Sequence, residues 1–218
     1  MGITRRGDQA MSSLFSGNTT LDMVGGSSGS KMLTVRDLTL DPGSGSPYHL
    51  HPNTEESIFV VEGVLEFRVG NHRFTATAGD CALAPRGTGH GIANTSGQPV
   101  RVITVYPHPS PAREIIEEPA FDDSEPASGF FVRSRVASFE FMAGIDRYDM
   151  VGDFAGAEST YFSELTFAPG AVAPNHYHPA HEESMFCLRG ELTAVYADDD
   201  SLPLAAGFLL AEKSETAM

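Results

Sequence analysis

Cysteine is scarce in this sequence. Cys81 and Cys187 stand alone in apolar stretches far apart in the chain, which reads as two buried free thiols, with no Cys-x-x-Cys pair for zinc or redox chemistry. Positive charge is also short, with 14 lysines and arginines against 29 aspartates and glutamates and a net charge of -15. That balance repels a phosphate backbone and excludes nucleic acid as a partner, leaving a neutral or cationic small molecule as the better fit. No apolar run approaches the length of a membrane span. Arg5 and Arg6 are followed by polar residues rather than the apolar core of a secretory leader, so no membrane partner and a cytoplasmic location are expected. Helical periodicity is nearly absent as well. Only Ala112 to Glu118 reads as a short helix.

What the sequence has is histidine in a repeated pattern. His49 and His51 are two residues apart in an extended segment, so their rings project from one face of a strand. Glu56 follows after the bend expected at Pro52-Asn53. His90 arrives later, behind the turn made by Pro85, Gly87 and Gly89. A barrel that brings the later strand across from the first would gather three imidazoles and one carboxylate at a point. The spacing recurs: Gly43, His49, His51, Glu56 and Gly63 are answered by Gly170, His176, His178, Glu183 and Gly190 at a constant offset of 127 residues. Two similar domains in tandem follow from that repeat.

Between these points the chain reads as short strands and turns. Lys31 to Leu40, Ser57 to Val61, Val64 to Val69, His72 to Ala78, Cys81 to Ala84, His90 to Ala93 and Val100 to Tyr106 are the strands of the first repeat, and Gly70-Asn71 is a hairpin turn. The triple-proline stretch Pro107 to Pro111 ends that set. Phe130 to Phe141 reads as a strand joining the two halves. The expected division is a flexible N-terminal segment 1–20, a first domain 21–109, a linker 110–140 and a second domain 141–218.

These motifs resemble the cupin superfamily, specifically a two-domain bicupin of the quercetinase type. The first cupin motif is complete as Gly43, His49, His51, Glu56 and Gly63, and the second as Gly79, Pro85, Gly87, His90 and Asn94. The resemblance implies an all-β fold of two tandem jelly-roll (double-stranded β-helix) barrels. The second barrel is expected to be truncated, because Gly207 falls near the place of Gly79 but Lys213 stands where Pro85 would be and no counterpart of His90 follows.

Three imidazoles and a carboxylate suit a divalent transition metal and are too rich in nitrogen for magnesium or calcium. Iron(II) is placed first, with manganese, nickel, cobalt and zinc as alternatives, one ion per chain. His176, His178 and Glu183 offer a second, three-ligand set. Glu56 is the candidate catalytic base, and Glu55, on the opposite face of its strand, is expected to tolerate substitution. Tyr48, Ile58, Phe59, Phe67, Leu83 and Ile92 are the candidates for the apolar lining. The activity implied is oxygenation by O2 of a small enolic or phenolic molecule that chelates the metal. The alternatives are a non-oxidative isomerase, lyase or cyclase, and a non-catalytic small-molecule-binding cupin. An incomplete second barrel needs a cover, so a homodimer is expected, with strand exchange from residues 1–20 or 130–141.

Overall fold

The computed structural model describes residues 2–176, 178–195, 201–205 and 208–212. The first half carries β1 (Gly2–Arg5), β2 (Asn18–Val24), β3 (Thr34–Leu40), β4 (His49–Leu50), β5 (Glu56–Glu62), β6 (Val64–Val69), β7 (His72–Thr77), β8 (Cys81–Ala84), β9 (His90–Ala93) and β10 (Val100–Tyr106). The connection holds β11 (Glu114–Ile115) and β12 (Phe130–Phe131). Then come β13 (Phe139–Met142), β14 (Ile145–Val151), β15 (Phe162–Phe167), β16 (Glu183–Phe186), β17 (Glu191–Val195), β18 (Ser201–Ala205) and β19 (Phe208–Glu212). Among the described residues no helix is long and apolar enough to cross a membrane.

Two sheets form the first jelly roll, one ordered β12-β8-β5-β10-β3-β2 and the other β11-β4-β9-β6-β7. Alternation decides which side chains lie between them. Leu65, Phe67 and Val69 of β6 point inward to meet Ile58, Val60, Val100 and Val102 from the opposite sheet, while Glu66 and Arg68 point out. Leu65, Phe67 and Val60 are fully buried, and each such burial contributes about 1.5–3 kcal/mol. The tight turn between β6 and β7 pairs Val69 with His72 across Gly70-Asn71, where Gly70 has φ of +58°. A left-handed residue there lets the hairpin follow the natural strand twist.

The strand β5 is apolar without alternation because both of its faces are covered. Ile58 and Val60 enter the barrel, whereas Phe59 packs outward with Cys81 and Leu83 of β8, Phe131 of β12, and Met150 and Val151 of the second repeat. A further shared cluster joins Leu21, Met23, Val35, Ile103 and Val105 to Phe162 and Phe186. The two repeats therefore share a core rather than a flexible tether.

Several local expectations change. Glu114 and Ile115 are not helical but pair antiparallel with Leu50 and His49, because the edge of β4 would otherwise be left unpaired. The stretch from Phe130 to Phe141 is not one strand. It divides into β12, paired with β8, a 3-10 turn at Arg133–Arg135, and β13, paired with β14. The N-terminal segment, expected to be flexible, supplies β1, which pairs with β19, itself paired with β16. Both segments assigned to exchange between subunits are thus paired within their own chain. Lys213, which decides the missing second motif, and Gly207 lie outside the described residues.

Candidate metal centre

The strand β4 is only two residues long, yet register fixes the site. His49 lies directly opposite His90 on β9, with ring centroids 4.4 Å apart. His51 comes immediately after β4, next to Leu50. Glu56 opens β5 on the facing sheet, opposite Ala84. The turn before β9 is tied down by the Gly87 N–H, which donates to the His51 carbonyl at 2.9 Å. Behind the site Tyr48 faces away from His49 and donates its hydroxyl proton toward the carbonyls of Gly70 and Gly89. A side chain at position 89 would put its Cβ 2.6 Å from the Tyr48 ring, so glycine is required there by contact.

His49, His51, Glu56 and His90 are all buried, none more than 6% exposed. The Nδ1 atoms of the three histidines meet backbone carbonyls of Pro47 at 2.8 Å, Ala112 at 2.5 Å and Thr88 at 2.8 Å. A carbonyl only accepts, so each Nδ1 carries a proton and each Nε2 of a neutral ring is left with its lone pair. Those of His51 and His90 stand 3.0 and 2.8 Å from the same oxygen, Oε2 of Glu56. One ligand atom from each of the four residues falls within 4.8 Å of the others. Lone pairs converging on a carboxylate oxygen repel unless a cation lies among them, either protons on the rings or a metal ion. The donor set, three nitrogens and one oxygen with every outer nitrogen anchored, fits a divalent transition metal.

Electrostatics separate the histidines. Burial, with the neighbouring His90, lowers the His49 pKa to about 4, so that ring is neutral. Burial also opposes charge on His51, but the hydrogen bond to Glu56 and its negative charge outweigh that and hold its pKa above the ordinary value. Burial likewise disfavours the Glu56 carboxylate, and the bonds from His51 and His90 overcome it, holding its pKa well below the usual range.

Two functional neighbours escaped the sequence reading. Tyr106, at the end of β10, donates its hydroxyl to Glu56 Oε1 at 2.7 Å. Burial and then the Glu56 charge raise its pKa, so the phenol stays protonated and remains a donor. Arg113, in the connection just before β11, lies on the wall of the pocket beside Glu56. Strand alternation offered a signal for Tyr106, since Val102, Thr104 and Tyr106 share the inward face; Arg113 had none. Of the residues expected to line the cavity, Ile58 and Ile92 do so, joined by Leu14 and Phe15 from the N-terminal segment. Phe59 and Leu83 instead face the second repeat, Phe67 stacks on Phe74 in the core and Tyr48 supports the site from behind. The open space is about 20 Å³, close to the size of one water.

Elsewhere, His72 meets Ser124 and His108 accepts from the Ser110 N–H, both outside the cluster. In the second repeat His176, His178 and Glu183 also gather. The Nδ1 of His176 meets the Pro174 carbonyl as that of His49 meets Pro47, but the group is partly open to solvent.

A family model described as a cupin domain matches residues 36–106 and again 163–217. The chain belongs to the cupin family. Two matched copies make it a bicupin. Quercetin 2,3-dioxygenase of Bacillus subtilis is 22% identical to this bicupin over 90% of the chain and 72% of the relative's length. Germin-like protein 1-1 of Oryza sativa subsp. japonica is 41% identical over 30% of the chain and 32% of its own. Among solved structures, the oxalate decarboxylase formate complex of Lactobacillus farciminis superposes with a TM-score of 0.76 at 17% identity, over 96% of this chain and 78% of that one. That likeness is one of fold.

Proposed function

We propose that this bicupin is a metal-dependent dioxygenase acting on a small enolic or phenolic molecule, with His49, His51, His90 and Glu56 holding the metal, iron(II) first. The observation that carries this reading is the convergence of the Nδ1-anchored His51 and His90 rings on Glu56 Oε2, with the similarly anchored His49 beside them, among buried side chains. Sequence similarity to a quercetin dioxygenase across both repeats supports the oxygenase class.

A bound divalent metal with a free coordination position would supply a Lewis-acidic centre that acidifies a substrate hydroxyl. Within the chain, Glu56 is the group positioned to take that proton, its Oε1 already hydrogen-bonded by Tyr106. Tyr106 holds the carboxylate in one orientation, so Oε2 rather than Oε1 faces the imidazoles. Ile58, Ile92, Leu14 and Phe15 give the pocket apolar walls beside Glu56. With room for little more than a water, either the substrate is small or Leu14 and Phe15 must move aside.

Oxygen uptake by iron-loaded protein over a panel of enolic and phenolic compounds tests the reading. Stoichiometric uptake with one of them is the expected result. Turnover without oxygen consumption would assign a non-oxidative reaction with Glu56 as base, and no turnover by fully loaded protein would assign a binding cupin.

A homodimer is part of this reading. Phe139, Phe141, Phe154, Tyr161 and Leu165 of the second repeat are exposed apolar side chains that a second copy would cover. Light scattering at micromolar concentration reads the state directly.

A further inference from the structure

The pocket beside Glu56 is mostly apolar, and Arg113 is the one arginine or lysine on its wall. Its placement follows from the pairing of β11 with β4. The preceding residue, Ala112, gives its carbonyl to His51, and the following one, Glu114, lies opposite Leu50. The backbone on both sides of Arg113 is therefore fixed to the strand that carries the candidate ligands. Its charge is felt at His51, where it opposes protonation.

Among the described residues Arg113 has no acidic partner, in a chain rich in acids. Ten arginines have a carboxylate within 4.0 Å; among the described residues only Arg113 and Arg189 do not. Among the described residues Arg113 makes a single hydrogen bond, from Nη2 to the Leu14 carbonyl at 3.3 Å. A guanidinium has five donors in a rigid fork that matches a carboxylate. With 29 acidic side chains in the sequence, an exposed arginine at the rim of the pocket, with no carboxylate within 4.0 Å among the described residues, is open to an anion from outside.

We propose that Arg113 determines substrate specificity by gripping a carboxylate of the substrate while another oxygen of the same molecule faces Glu56. The substrate class is then a small enolic or hydroxy carboxylate. This rests on the metal-site reading above and narrows it. It also revises the expectation of a neutral or cationic ligand, since the net charge of the whole chain is overruled locally by one arginine on the pocket wall.

Calorimetric titration with glycolate and its neutral amide, glycolamide, tests the assignment on manganese-loaded protein, with metal content measured in the same samples. The parent protein should favour glycolate, and Arg113→Gln should reduce the glycolate-to-glycolamide affinity ratio by about tenfold or more, leaving glycolamide affinity unchanged. Arg113→Lys should keep most of the preference. A fall in the ratio of less than about threefold, equal weakening of both probes, or no preference in the parent protein would overturn the proposal. Equal weakening would mean that Arg113 acts only by holding Leu14. Failure of the parent protein to take up metal would instead remove the metal reading, and the same titration on that protein would still decide the role of Arg113 by its effect on the ratio.

Discussion

Glu55 and Glu182, equivalent positions in the two repeats, each hold the backbone of the other repeat. Glu55 accepts from the N–H groups of Glu158, Ser159 and Thr160 at 2.8, 2.9 and 2.7 Å. Glu182 accepts from Lys31 and Met32 at 2.9 and 3.1 Å and from the Ser30 hydroxyl. The strand that sends Glu56 into the barrel sends Glu55 outward into the interface, where it is 2% exposed.

Glu55 was expected to tolerate change, and this geometry reverses that expectation. Removing the carboxylate takes the acceptor from three N–H groups at a partly buried junction, so Glu55→Ala should destabilise the protein by roughly 2–3 kcal/mol in urea unfolding while metal content is kept. A variant as stable as the parent would show that the reciprocal grip carries no energy.

The metal assignment predicts about one tightly held transition-metal ion per chain, with the more exposed His176, His178 and Glu183 holding a second only weakly or not at all. His90→Ala should lose most of the bound metal, and His72→Ala and His108→Ala should retain it. Elemental analysis of the three variants purified side by side decides this. Equal loss in all three places the centre elsewhere.

Tyr106 and Glu56 should be separable by kinetics once a substrate is known. Glu56→Gln restored to full metal occupancy should still lose most of its activity if the carboxylate takes a proton. Tyr106→Phe removes only the bond to Oε1, and a loss of about tenfold in kcat with metal retained is expected. Retained turnover in metal-replete Glu56→Gln would remove the base role.

The pH response of the metal-free protein follows from opposite shifts on neighbouring rings. His51, with its pKa raised above 6.5, contributes stability that is present below 6.5 and lost as pH rises through the raised value. Glu56, lowered from 4.5, contributes stability that is present above 4.5 and lost as pH falls through its folded value. His49, lowered to about 4, works against His51: the unfolded chain takes up that proton first, so stability is lost as pH falls from 6.5. Ring signals in an NMR titration should show His49 neutral at pH 6 and the His51 midpoint above 6.5. A His51 midpoint below that value would contradict its bond to Glu56. Because metal must displace the His51 proton, affinity should also weaken as acid is added.

The site was legible where chemistry requires particular residue types at a fixed spacing. His49, His51 and Glu56 sit within eight residues of one another, and the duplication at Gly170 to Gly190 made the pattern stand out. The fold was legible for a similar reason: turns such as Gly70-Asn71 and the alternation in β6 are local signals. What stayed hidden depended on contacts distant in sequence. Arg113 is brought to the pocket by pairing across more than sixty residues, Glu55 by a partner loop 103 residues away, and Leu14 and Phe15 by a segment with no regular pattern. The two-sided burial of β5 hid which of Ile58 and Phe59 faced the cavity, since an unbroken apolar run carries no alternation to read.

The pairing of β1 with β19 also has a consequence for how the molecule is made. Gly2–Arg5 is made before Phe208–Glu212 and cannot pair with it until nearly the whole described chain has followed. The first barrel has only local and medium-range pairings and can close earlier. Contacts of such large sequence separation form slowly. During synthesis β1 therefore waits with an unpaired edge until β19 is made, and that interval is one in which a free strand edge is exposed to aggregation.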